Sequence, residues 1–335
     1  MPTRVPYPLV GDVSDRARYQ LFRNFAALEQ VAGLLFEDCN IDLGDTALDS
    51  VTTGTDNIGI GCNALTALTT GIGNVAIGTN AMSTATVDNE SVAIGRDALR
   101  RQAATVQTYN IAIGAYALAN VTNNAAVRNT ALGYQALGSL TTGDKNMAMG
   151  YYAMYSATTA STNIAIGEGA MFRATSGGDN TVLGFNAHYE GTTAAENVAV
   201  GLRALGKITT GTYNTVVGAR AAYGASGDRP TYTANYQTCI GAEAGQQTDT
   251  QRDGITCVGY QAWANGANGV AIGRGAVADA ASAVAIGYNT FSTASYPQVL
   301  GGWKFGGYAA SGAGAPTGEY VTVQVNGTAV RLLVG

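Results

Sequence analysis

One histidine, His188, and four cysteines, at 39, 62, 239 and 257, are the side chains most readily turned to catalysis or metal binding. Their spacing argues against both. A nucleophile needs a base within hydrogen-bond reach, and no Ser or Cys has His188 at a plausible repeat distance. No CxxC pair exists, and a single His cannot complete a Cys/His zinc site. The carboxylates are scattered, so paired acid–base chemistry has no visible support. The sequence predicts a non-enzymatic protein with no catalytic residue, no metal site and no cofactor. His188 reads as a packing position. Cys239 and Cys257 share one repeat position in successive repeats, close enough for a disulfide to be conceivable, but all four cysteines read as reduced, small apolar residues. Two other constellations point to binding. Tyr134, Tyr151, Phe185, Tyr260 and Tyr288 recur at one repeat position, which leaves open either sugar binding or the shielding of a turn. Asp228, Arg229, Tyr232 and Tyr236 lie in an insertion and offer charge plus aromatic surface for a receptor contact.

All of these residues hang on one repeated phrase. Asn74-Val-Ala-Ile-Gly78 returns as Asn57-Ile-Gly-Ile-Gly61, Asn110-Ile-Ala-Ile-Gly114, Asn163-Ile-Ala-Ile-Gly167 and Asn197-Val-Ala-Val-Gly201. With the last Gly as origin, the phrases sit at 61, 78, 95, 114, 133, 150, 167, 184, 201, 218, 241, 259, 273 and 287, with Gly301 as a degenerate fifteenth. The steps are mostly 17, with 19, 23 and 18 inserted and 14 at the end. That is too short for a helical hairpin, and suits one coil of a β-solenoid.

The columns refine this reading. Positions −3 and −1 are bulky and mostly β-branched, and −2 between them is nearly always Ala, which is strand alternation. The expectation is that −3 and −1 fill the coil. The small −2 face would then meet other chains about an axis, through Ala76, Ala93, Ala112, Ala165 and Ala199. Ala at +3, Leu or Met at +4 and an apolar residue at +7 predict a second, return strand. Gly at the origin suits a turn that a Cβ would block. Asn at −4 suits turns and can bond to its copies along a solenoid.

Composition sets outer limits. There are 45 Gly, only 12% charged residues and 46% apolar residues, which excludes a disordered chain. The net charge is −5 with no basic stripe, so nucleic acid is not an expected partner. No 18-residue apolar run exists, so no membrane insertion by a helix is expected. The first residues lack a signal-peptide core, which predicts assembly in a cytoplasm.

The flanks differ from the repeats. Residues 1–13, with Pro2, Pro6 and Pro8, read as an extended attachment arm. Residues 14–38 read as a helix, with Leu21, Phe25, Leu28 and Leu35 on a coiled-coil seam that either caps the solenoid or joins three copies. The repeat shaft spans 39–303, and 304–318 reads as a Gly-rich linker. In 319–335, Asn326-Gly327 between alternating strands predicts a β-hairpin tip.

The VAIG-x-x-A phrase, with Asn before it and 14-residue spacing near the end, resembles the head repeat of trimeric autotransporter adhesins. The longer form, as in Leu140-Thr-Thr-Gly-Asp-Lys-Asn-Met-Ala-Met-Gly150, is similar to repeats in bacteriophage tail fibres and other virion appendages. The resemblance implies an all-β, left-handed parallel β-roll and a homotrimer. The expectation is therefore a structural virion fibre, exposed on the particle, joined through its N-terminal arm to other virion proteins. Its distal part would contact the host surface, with surface polysaccharide as the expected partner. A bacterial trimeric adhesin head and a polysaccharide-degrading spike are the alternatives.

Overall fold

The computed structural model describes residues 39–101, 108–122, 126–224, 233–245, 252–293, 320–325 and 328–333. They form an all-β parallel β-solenoid, with no helix among the described residues. Fifteen three-residue strands, from Ile41–Leu43 to Val284–Ile286, pair in sequence order into one parallel sheet. Register is strict. Met147 pairs with Ile164, Ala148 with Ala165 and Met149 with Ile166, and the next strand continues with Thr181, Val182 and Leu183. At about 4.8 Å per strand the sheet runs about 67 Å. Its first strand belongs to a phrase not recognised in the sequence, Asn40-Ile-Asp-Leu-Gly44. Asp42 in the alanine column hides it.

The backbone turns at fixed points. Each origin Gly is left-handed or beyond, as in Gly95 at φ +129, and a Cβ there would lie 2.7 Å from the Gly114 carbonyl carbon. Both conformation and stacking therefore demand Gly. In the 17-residue coils, positions +2 and +4 are also left-handed, as in Tyr152 at φ 55 and Met154 at φ 49. Each such residue costs about 1 kcal/mol against an extended one, which the burial of the +4 side chain offsets.

That conformation at +4 corrects the expected return strand. In the 17-residue coils the segment after the origin is a chain of turns, not a strand. Among the described residues a second strand exists only in the 14-residue coils, where Trp263–Ala264, Val277–Ala278 and Phe291–Ser292 form a three-stranded parallel sheet. There +4 is extended, so +5 turns inward instead: Ala264, Ala278 and Ser292 are buried.

A second correction concerns which face is inside. Ala76, Ala93, Ala112, Ala165 and Ala199 are each 0% exposed and belong to the core of a single chain. They cannot meet another chain. The residues at −3 and −1 point outward instead. The cause is the thinness of the coil. Leu or Met at +4 crosses the interior from the turn segment, and a single methyl is all that fits opposite. At Gly59, a Cβ would already stand 3.0 Å from Leu48 Cγ.

Buried asparagines hold the coils in register. Asn163 donates its backbone N–H and its Nδ2 to Asn146 Oδ1, both at 3.1 Å, and Nδ2 also donates to the Gly177 carbonyl at 2.9 Å. Asn180 repeats this onto Asn163 Oδ1, at 3.1 and 2.8 Å. The ladder runs from Asn40 to Asn74, is interrupted at Ser91, and resumes from Asn110 to Asn214. At the interruption, Ser91 and Thr108 share a hydrogen bond and Thr108 donates to buried Asp88 at 2.7 Å.

A second unit, Trp303–Gly335, contains the antiparallel pair Tyr320–Val325 and Thr328–Leu333. The arm, the helix with Leu21, Phe25, Leu28 and Leu35, the linker and Gly301 lie outside the described residues.

Candidate functional site

The residues at −3 and −1 give the sheet an outward face. They are Val, Ile, Leu, Met or Thr in all fifteen strands, and not one is charged. Met147, Ile164 and Leu183 are 40, 41 and 46% exposed. A continuous uncharged apolar stripe of this length is unusual on a monomer, which has polar side chains to spend on solvent-facing strands. The same chain places charges freely one turn away, at Arg96, Asp97, Glu168, Arg203 and Arg220.

That neighbouring turn face carries an aromatic ladder. Identical coils put identical positions above one another, so rings 17 residues apart meet. Tyr155 stacks on Phe172 at 5.5 Å and Phe172 on Tyr189 at 5.0 Å, the latter pair nearly parallel at 3°. Tyr134 stacks on Tyr151 at 5.4 Å, and Tyr152 sits edge-on to Tyr151 at 4.4 Å and to Tyr155 at 5.1 Å, joining the two columns. Of the predicted +1 aromatics, only Tyr134 and Tyr151 enter the ladder. Phe185, Tyr260 and Tyr288 are exposed, and Arg274 lies over the rings of Tyr260 and Tyr288 at 5.8 and 5.7 Å. The +5 column of Tyr155, Phe172 and Tyr189 was not singled out from the sequence, although its 17-residue recurrence is visible there.

The +5 column then loses one rung. Gly206 occupies the position above Tyr189, and Tyr223 occupies the next. A cleft of about 220 Å³ opens there, lined by Tyr189, Glu190, Arg203, Gly206, Lys207 and Tyr223, with Asn186 at its edge. Glu190 pairs with Arg173 at 2.9 Å, and Lys207 Nζ stands 5.5 Å from the Tyr223 ring centre. Arg203 has no carboxylate partner among the described residues. A second cleft of about 250 Å³, between Tyr152, Glu168, Phe172 and Tyr189, shares Asn186 and Tyr189 with the first.

The residues singled out for chemistry lie elsewhere. His188 is wholly buried in the +4 column, and neither ring nitrogen makes a well-formed hydrogen bond. Burial lowers its pKa from 6.5 to about 4, and the weak opposing pull of the Ile208 backbone does not offset it. The folded protein thus holds a neutral imidazole. As pH falls below about 6.5 the unfolded chain gains a proton that the folded chain refuses until about 4, so stability is lost across that window. The gap amounts to about 3 kcal/mol. Relative to His188→Met, the wild type should lose this amount of unfolding free energy, read from urea titration, between pH 7 and pH 4. Parallel free energies across that range would contradict it. Met171 one coil away shows that Met fits the column.

Cys239 and Cys257 are direct register partners in the alanine column, both buried as free thiols. Contact with Cys257, and then burial, push the Cys239 thiol well above its usual range. Cys39 and Cys62 are exposed. Ellman's reagent should therefore count two thiols in the folded chain and four in guanidinium. Four at once in native buffer would show that the coil opens at Cys239.

In the predicted receptor patch, Tyr236 is 63% exposed and stacks on Tyr213 at 5.2 Å. Asp228, Arg229 and Tyr232 lie outside the described residues. Among the described residues no group of three or more His, Cys, Asp or Glu is placed to hold a metal, and no helix is long and apolar enough to cross a membrane.

Comparison with known families gives one match. A family model described as the YadA head domain repeat matches twice, at residues 258–276 and 264–290. The matched stretch is the part of the solenoid with 14-residue coils and a second strand. No curated protein and no solved structure gives a significant match.

Proposed function

We propose that this chain forms the shaft of a non-enzymatic, adhesin-type surface fibre in which three copies pack their strand faces about a common axis. The observation that carries the proposal is the uncharged outward face of all fifteen strands. Exposed sheets of soluble chains alternate apolar and polar faces; here the outward face carries no charge in any strand, and the inward face is small and apolar in all but the first, where Asp42 stands, which marks the outward face as the one that another copy would cover. Charge depletion of this kind marks the core of an interface. The likeness of residues 258–290 to the YadA head repeat supports the adhesin type and the threefold arrangement. Binding by three identical sites gains strength through avidity, with no chemistry required.

A second reading places the fibre on a virion, held by the N-terminal arm, with its distal part against a host cell. It rests on the likeness of the 17-residue phrase, as in Leu140 to Gly150, to virion-appendage repeats. Gold-labelled antibody against the shaft, applied to intact cells and to intact particles, separates the two. Decoration of a cell envelope supports the adhesin and decoration of particles the virion appendage. Label confined to the cell interior would overturn both.

A further inference from the structure

We propose that the missing rung at Gly206 is a binding slot for a single acidic sugar ring, with Tyr189 as its stacking platform and Arg203 as the partner of its carboxylate.

Phe172 and Tyr189 stack at 5.0 Å, close to the rise of one coil, about 4.8 Å. Tyr155 and Tyr189 cover both faces of Phe172. Tyr189 has only one face covered in this way. Its other face opens into the cleft of about 220 Å³ at the level of Gly206, where the +5 side chain is missing. The Tyr223 ring leans into that level from the next coil: a Cβ on Gly206 would meet its Cδ2 at 2.7 Å and Cε2 at 2.8 Å, so Tyr223 and the bare Gly206 backbone form the floor and far wall of the cleft.

The rim selects the occupant. An aliphatic side chain would leave the rim's polar groups desolvated without partners. A pyranose presents C–H groups to an aromatic face and hydroxyls to its edge, which matches Tyr189 flanked by Asn186 and Glu190. The charge is unbalanced. Glu190 is already engaged by Arg173, while Arg203 has no carboxylate partner among the described residues. A guanidinium at the rim favours a carboxylate, which it can hold through two parallel hydrogen bonds. A uronic or sialic acid residue supplies both the ring and the carboxylate. The second cleft, sharing Asn186 and Tyr189, leaves room for the adjoining sugar.

This deepens the surface-fibre reading, since it names what such a fibre would touch, but the slot lies within one chain and is tested apart from assembly. Isothermal titration calorimetry on the full chain would use trigalacturonate, sialyllactose and, as the neutral probe, maltotriose. At least one acidic probe should bind roughly 10-fold more tightly than maltotriose. Tyr189→Ala should weaken it about 10-fold through the lost stacking, while Tyr189→Phe keeps binding near wild type. Arg203→Gln should abolish the preference for the acidic probe; Gln135 and Gln261 show that Gln is accepted at this position of the coil. Absence of binding by both acidic probes, equal binding of maltotriose, or indifference to Tyr189→Ala would each overturn the slot. So would a change in particle mass for Tyr189→Ala, which would place the ring in a contact between copies. A monomer by light scattering that still binds the acidic sugar would sink the threefold shaft and leave the slot standing.

Discussion

Met149→Lys together with Leu183→Lys should reduce the assembled protein to single chains that remain folded, whereas Ala165→Lys should destroy the coil itself. The three positions lie within three neighbouring strands, so the contrast isolates direction, not location. Met149 and Leu183 are 39 and 46% exposed and point away from the interior, where a charged head reaches water in a lone chain. In an assembly the same heads are buried without partners, at several kcal/mol per ion. Ala165 is 0% exposed and sits between Ala148 and Val182 in the sheet. A lysine there brings both a buried charge and a chain too long for a space one methyl fills, on the order of 5 kcal/mol. Light scattering with circular dichroism should find the double variant monomeric with native strand signal. For Ala165→Lys the strand signal itself should fall. If Ala165→Lys folds and merely dissociates, the inward assignment of the alanine column is wrong.

The asparagine ladder should be nearly as sensitive. Asn163→Ala removes the acceptor of the Asn180 backbone N–H and Nδ2, and the donor to Asn146 Oδ1 and the Gly177 carbonyl. These groups are buried and have no water to turn to. One unsatisfied buried group costs about 1–3 kcal/mol, so the variant should lose about 4 kcal/mol, and a melting temperature about 6 °C lower follows for a chain of this size. Asn163→Asp should be worse, although it is closer in shape. Its carboxylate would face the Asn146 and Gly177 oxygens, acceptor against acceptor, and would carry charge into the core. Asn163→Ser should lie between wild type and Ala, because Ser91 shows that a hydroxyl can accept from the next coil's N–H. An order of Asp above Ala in stability would count against the ladder as described.

Much of the architecture was legible because a solenoid writes one environment many times. The recurrence of Gly at the origin fixed the period, and Asn at −4 announced the ladder. What misled was the inference from size to burial. In a rounder domain Val and Ile fill the core and Ala lines close contacts. Here the interior is filled from the turn, by Leu99 or Met154 at +4, and Ala is what remains possible opposite. Nothing at positions −3 to −1 alone reveals this; it depends on the left-handed conformation of +4, which local pattern does not specify. The same conformation explains why the second strand appears only in the 14-residue coils. The first coil was missed because Asp42 replaces the alanine. The binding slot was invisible for a different reason: it is made by a side chain that is absent at Gly206, between two that are present.

The number of copies in the assembled particle is the most direct test. Multi-angle light scattering of the unaltered full chain should give about three times the chain mass of 34.2 kDa, independent of salt because the joined faces carry no charge. A particle of 34.2 kDa, stable in solution with all fifteen strand faces open to water, would contradict it.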